Sequence, residues 1–237
     1  MSEAPAFIEI ARLDCRFEPR PWPFAAENRA AIEAHWRSLC EAKPALFNGR
    51  VLLLHRHTIE DGVFRGAYLE TDYASFMTWG NLGFPEDGMR NSFSMAALQA
   101  ADGAFLLGEM AAHTANAGAV YFAAGTPDPT DIVGEKVDLE ASVMRELTEE
   151  TGLDPASLDI APGWTMVALG PRIAMMRRMR SPLDSGALKA KIEAYLASET
   201  QPELARMHVV RNTRDMPSAM PDFQRAYLHH ALGYRTG

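Results

Sequence analysis

Glu146, Glu149 and Glu150 stand at i, i+3 and i+4, a spacing that gathers three carboxylates on one face of a helix. Like charges one turn apart repel, and near a helix C-terminus they also face the negative end of the dipole. A hard divalent cation relieves both effects. A glutamate cluster without His or Cys suits Mg²⁺ or Mn²⁺, so these three residues are the candidate metal ligands and catalytic groups. Arg145 precedes Glu149 by four residues and is placed to pair with it, a positioning role. Leu139, Val143 and Leu147 recur every fourth residue and give the same helix an apolar stripe for packing. Asp138 reads as its N-cap, and Gly152 followed by Leu153 reads as its C-terminal stop, a structural role.

The 237 residues are enough for one large domain or two small ones, with ample apolar content for a core. A net charge of −8 argues against nucleic acid as a partner, because phosphate binding is driven by Lys and Arg. Cys15 and Cys40 form no motif and are expected to stay free in a reducing cytoplasm. The sequence has no apolar run of spanning length and no basic-then-apolar start, so no membrane partner is expected. Nothing in the pattern speaks to oligomeric state.

Residues 6–11 alternate as a strand, and Pro19, Pro21 and Pro23 hold the chain extended before a helix from Phe24 to Lys43. Arg50 to Ile59 and Val63 to Glu70 form a hairpin about Glu60-Asp61-Gly62. His55 and His57 lie two apart in the first of these strands. With no third His or Cys nearby they read as solvated or hydrogen-bonded rather than as zinc ligands. Tyr73, Phe76 and Trp79 follow at helical spacing, with Phe84 beyond; the stripe is either core or a platform on which a base stacks, with Trp79 the binding candidate. Met95 to Ala100 and Ala104 to Gly108 form a second hairpin, and Val120 to Ala123 a further apolar run. Thr165 to Leu169 and Ile173 to Met179 flank the Gly170-Pro171 turn. Arg177 and Arg178, beside Arg180, are candidates for a phosphate clamp at the end of the second strand. A helix from Ser185 to Ser198, a strand from Leu204 to Arg211 and a helix from Met220 to Leu232 complete the chain.

Arg145 to Leu153 matches the second half of the Nudix box, Arg-Glu-aliphatic-x-Glu-Glu-x-Gly-aliphatic, at every defined position. The chain therefore resembles the Nudix hydrolases. The first half departs: counted back from Arg145, the family's Gly falls at Asp131 and its Glu at Val137. The glycine loop is then Ala124-Gly125-Thr126, followed by an insertion from Pro127 to Ile132. Asp128, Asp131, Glu135 and Asp138 are candidates for the missing Glu. The resemblance implies an α/β/α sandwich with a mixed sheet over residues 92–237, preceded by an N-terminal α+β extension over residues 1–91. It also implies that a backbone carbonyl near Ala124 or Gly125 joins Glu146, Glu149 and Glu150 on the metal. A further Glu after the box is implied as ligand or general base, Glu203 first and Glu199 second.

The activity implied is pyrophosphohydrolysis of a nucleoside diphosphate linked to a second group, a small-molecule substrate. Arg29 to Trp36, Pro44 to Gly49 and Thr71 to Phe76 look like the leader of Nudix proteins that split UDP-glucose and UDP-galactose, which favours a UDP-sugar giving UMP and a sugar 1-phosphate. ADP-ribose or coenzyme A type substrates are the alternative within the same chemistry. A non-catalytic module that binds a nucleotide or a protein is the alternative outside it.

Overall fold

A computed structural model describes residues 4–85 and 88–233. Strand β1 (Ala6–Ile10) and strand β2 (Arg12–Phe17) lead into helices α1 (Pro23–Glu27) and α2 (Arg29–Ala42). The single helix expected there is divided at Asn28, whose side-chain amide donates to the Phe24 carbonyl at 2.9 Å and competes with the backbone for it. Next come β3 (Arg50–Glu60), β4 (Val63–Asp72), α3 (Tyr73–Asn81), β5 (Asn91–Gln99), β6 (Phe105–Met110) and β7 (Val120–Tyr121). Asp61 and Gly62 both take positive φ in the turn joining β3 to β4, as a tight two-residue hairpin requires. The remaining elements are β8 (Ile132–Val133), β9 (Lys136–Val137), α4 (Leu139–Thr151), β10 (Asp159–Ile160), β11 (Trp164–Leu169), β12 (Arg172–Arg180), α5 (Ser185–Ser198), β13 (Leu204–Val210) and α6 (Asp222–Ala231).

The larger sheet runs β1-β11-β12-β5-β6-β13, with β10 beside β12 and β7 beside β6. Its β12–β5 pair is parallel and the others are antiparallel, so the sheet is mixed. Strand β5 lies inside it and is buried on both faces, which is why its sequence is almost continuously apolar or small. One face packs α4 and α5 through Val143, Leu147, Leu188 and Ile192. The other packs α6 through Phe223, Tyr227 and Leu228. This is the expected α/β/α sandwich.

The smaller sheet runs β3-β4-β2-β9-β8. Leu52, Leu54, Phe64 and Tyr68 on one face join the core under α4, while Leu53 and Leu69 on the other pack against α1, α2 and α3. Sheet membership crosses the expected boundary at 91/92 in both directions. Strand β1 pairs with β11 in the larger sheet, and the hairpin of β8 and β9, between the glycine loop and α4, pairs with β2 in the smaller one. Backbone hydrogen bonds reinforce the lacing: Leu52 N donates to Pro127 O at 2.7 Å and Phe17 N to Glu135 O at 2.9 Å. Among the described residues no helix is long and apolar enough to cross a membrane.

Candidate functional site

The helix α4 carries the acidic face that its sequence spacing demands. Leu139, Val143 and Leu147 are buried, and Asp138 caps the N-terminus by accepting from Ala141 N at 2.9 Å. Gly152 ends it at φ 66°, and a Cβ there would lie 2.4 Å from the Tyr195 ring, so both conformation and space require glycine. Tyr195 in turn donates its hydroxyl to the Glu149 carbonyl at 3.0 Å, tying α5 to the end of α4.

Glu150 is buried. Its Oε1 accepts from Ala124 N at 3.4 Å, and its Oε2 has no hydrogen-bond partner. Burial, then the charges of Glu146 and Glu203, push its carboxyl well above the ordinary range. Glu146 lies against Gly125 so closely that a Cβ at residue 125 would sit 2.3 Å from its Oε1. Burial pushes Glu146 up to about 7, with Glu149 and Glu203 acting in the same direction and Arg145 against it. The glycine loop and the two glutamates thus form one packed unit. Glu203 reaches it by its charge, and the backbone beside it is fixed by Ala111 N donating to Glu203 O at 2.8 Å.

Arg145 organises the acidic face. Its guanidinium donates to Glu146 Oε1 at 2.7 Å, to Glu149 Oε2 at 3.4 Å and to Asp131 Oδ1 at 3.0 Å. Asp131 is the buried anchor, its other oxygen accepting from Ser142 Oγ and Asp128 N, each at 3.1 Å. Of the four acids in or beside the insertion, Asp131 is the one that grips the box arginine. Glu149 stays outermost, its side chain 60% exposed. Held by Arg145, the carboxylates are spread: among the described residues no three His, Cys, Asp or Glu side chains converge closely enough to hold an ion as they stand. The donor set nevertheless fits a hard cation, because it offers a buried carboxylate oxygen without a partner beside a loop where only glycine leaves room.

Ala124, Gly125 and Thr126 also form one wall of a cleft of about 980 Å³. Strand β5 lends it Asn91, Phe93 and Met95 from one face, the period-2 alternation sending Ser92, Ser94 and Ala96 the other way. Tyr73, Phe76 and Phe84 reach it from the N-terminal extension, and Tyr121 joins it to the carboxylates. Burial, then the charges of Glu150 and Glu203, raise the Tyr121 hydroxyl. The sequence reading places Tyr121 in an apolar run and assigns none of Asn91, Phe93 and Arg172 to a site.

Other expected site residues lie elsewhere. Trp79 is 1% exposed, donates Nε1 to Pro85 O at 3.1 Å and packs edge-on against Trp22 and Phe84, so it is core of the extension. Six residues of helix turn it about 120° away from Tyr73, which explains why one end of the stripe faces the cleft and the other does not. Arg177 and Arg178, adjacent in a strand, point to opposite faces and cannot share a ligand. Arg177 bonds Glu140 Oε1 at 2.9 Å and Pro162 O at 3.1 Å under the Trp164 ring, while Arg178 contacts Tyr227. Glu199 is engaged with Tyr195. His57 stacks on Phe64, and the ring nitrogens of half-buried His55 have no hydrogen bond, Nε2 lying 3.7 Å from Glu18.

No family profile matches the chain. No curated relative matches it either. Among solved structures it is similar to the MutT protein from Methanosarcina mazei Go1, with 19% identity and a TM-score of 0.39 over 60% of this chain and 92% of that one. It is also similar to RenU, a Nudix hydrolase from M. smegmatis, with 15% identity and a TM-score of 0.36 over 59% and 80% of the two chains. The E. coli ORF135 protein shares 18% identity at a TM-score of 0.36, over 61% of this chain and 90% of its own. The resemblance to the Nudix hydrolases is carried by Arg145 to Leu153, in and just after helix α4, which match the second half of the box, with Gly125 in the loop after β7 packed against them.

Proposed function

We propose that this protein is a divalent-metal-dependent Nudix pyrophosphohydrolase acting on a nucleoside diphosphate linked to a second group, a UDP-sugar being the preferred substrate. One observation carries the reading: a buried, partnerless oxygen of Glu150 lies beside a glycine loop moulded to Glu146. Glu146, Glu149, Glu150 and the backbone at Gly125 would hold Mg²⁺ or Mn²⁺, which when bound neutralises phosphate charge and lowers the pKa of an attacking water. Asp131 fixes Arg145, and Arg145 fixes the rotamers of Glu146 and Glu149. Glu203, exposed and electrostatically coupled to both inner glutamates, is the candidate general base.

The segments that resemble UDP-sugar hydrolases support the substrate assignment by where they lie. Asn48 Oδ1 accepts from Ala74 N at 2.8 Å, Tyr73 N donates to Gly49 O at 2.9 Å, and Trp36 meets Tyr73 edge-on at 6.2 Å. The first two segments therefore hold the third, the start of α3, whose Tyr73 and Phe76 line the cleft. The test is a panel of UDP-sugars, ADP-ribose and coenzyme A with Mg²⁺, followed by release of nucleoside monophosphate. Glu149→Gln should reduce turnover at least about a hundred-fold; an unchanged rate rejects the site. The grip of Arg145 on two of the three glutamates favours a second reading, a nucleotide-binding module without turnover, which a silent panel would select.

Asp131→Asn should lower kcat about 10–100-fold with little change in KM, because it loosens Arg145 without touching substrate. A Mg²⁺ titration of the rate should show a matching loss of metal affinity. Wild-type metal affinity in this variant would remove Asp131 from the site.

A further inference from the structure

Arg177 and its surroundings form a second cavity whose chemistry the acidic face does not use. Arg177 is 7% exposed and its Nε has no hydrogen-bond partner, so one donor of a buried guanidinium is left unmet. The residues it touches, Glu140, Pro162 and Trp164, are also walls of a cavity of about 270 Å³, so the guanidinium borders that space. This cavity shares no lining residue with the cleft. Leu139 and Glu140, the first two residues of the 13-residue helix α4, line it as well and bring the positive end of the helix to it. Arg12, Lys136, Asp14 and Asp138 complete its polar wall. Three carboxylates thus face three cations, but each carboxylate is already engaged. Asp138 caps α4 through Ala141 N, Glu140 Oε1 holds Arg177 Nη2, and Asp14 lies 3.9 Å from Arg12 and 4.0 Å from Arg16. Lys136, by contrast, forms no ion pair among the described residues. The unspent groups are donors.

We propose that this cavity binds a small oxyanion, a carboxylate or a phosphate, held by Arg177, Lys136 and the N-terminus of α4. An oxyanion supplies acceptors to the guanidinium and to the helix end at once, which no neutral ligand does as well. The volume falls below the roughly 300–1,000 Å³ of ordinary small-molecule pockets, so the occupant is small. Glu140, its side chain 58% exposed, covers one edge of the guanidinium as the chain's own stand-in for the ligand and moves aside when the ligand binds. The site lies at the opposite end of α4 from Glu149 and Glu150, needs no metal and does not depend on the hydrolytic reading.

Isothermal titration of the metal-free full chain with inorganic phosphate and with acetate, against sodium chloride at matched ionic strength, decides the matter. Wild type should bind at least one of the two anions saturably and chloride not, the two arms separating a phosphate from a carboxylate ligand. Glu140→Ala uncovers the guanidinium edge and should tighten the preferred anion about three- to ten-fold, a change opposite in sign to damage of the fold. Arg177→Lys keeps the charge but loses the planar fork and should weaken binding about ten-fold. If that variant fails to fold, Lys136→Ala, at an exposed position, takes its place with an expected loss of about two- to five-fold. Phosphate drawn instead to Arg172 or Arg225 in the cleft would bind with an affinity that none of these substitutions moves. Binding no stronger than that of chloride, or the absence of either the gain or the loss, overturns the site.

Discussion

Glu150→Gln should abolish Mg²⁺-dependent hydrolysis, by at least about a thousand-fold, and at the same time raise the melting temperature of the metal-free protein at pH 8. The substitution keeps the shape and the acceptor for Ala124 N but removes a charge that burial and two neighbouring carboxylates oppose. The pH dependence has a definite sign. Glu146 is raised from 4.5 to about 7, and Glu150 is raised as well, so the folded chain holds protons that the unfolded chain has released. Their contribution to stability is complete below the unfolded value and declines as pH rises through the folded one. For Glu146 alone the decline is about 3 kcal/mol between pH 4.5 and somewhat above 7. Added Mg²⁺ should reverse it, raising the melting temperature at pH 8 and having little effect at pH 5. Thermal melts of both proteins across that range, with and without Mg²⁺, check the account. A Mg²⁺-induced shift of equal size in Glu150→Gln would refute the assignment of Glu150 as a ligand.

Gly125→Ala is expected to reduce kcat by about a hundred-fold while the protein still folds. The added Cβ would lie 2.3 Å from Glu146 Oε1 and 2.5 Å from its Cδ. The three atoms nearest the added methyl all belong to the Glu146 side chain, so that side chain must yield. Arg145 holds that side chain at 2.7 Å, and a displaced Glu146 also loses this bond. A circular dichroism spectrum matching wild type, together with the fall in kcat, is the expected pair of results. Full activity would mean that Glu146 need not occupy its observed position.

The contrast between α4 and the sheets shows what the sequence discloses. Stripe, cap, acidic face and terminal glycine of α4 are all local relations over about 3–4 residues, and each is legible in the sequence. Ser185 to Ser198 was legible for the same reason. The parallel pairing of β12 with β5 and the placement of β1 beside β11 depend on contacts far apart in the chain, which periodicity does not encode. The stretch between the glycine loop and α4 reads as irregular in the sequence because its strands, Ile132–Val133 and Lys136–Val137, are too short to show alternation. Within the site, Asp131 was one acid among four until its side chain was seen on Arg145. Asn91 carried no signal at all, since a polar residue opening a strand is ordinary and only its partnerless Oδ1 marks it.

The pairing of β1 with β11 also orders events at the ribosome. Glu9 and Thr165 share a 3.0 Å hydrogen bond across 156 residues of chain. At about 5–20 residues per second, the first strand waits on the order of 10–30 s for its neighbour to be synthesised. Throughout that interval its backbone amides on the pairing side have no native partner, and the sheet that supports the acidic helix lacks its outermost strand. A growing chain should therefore acquire the hairpin of β3 and β4 early and close this sheet only after most of the protein has been translated.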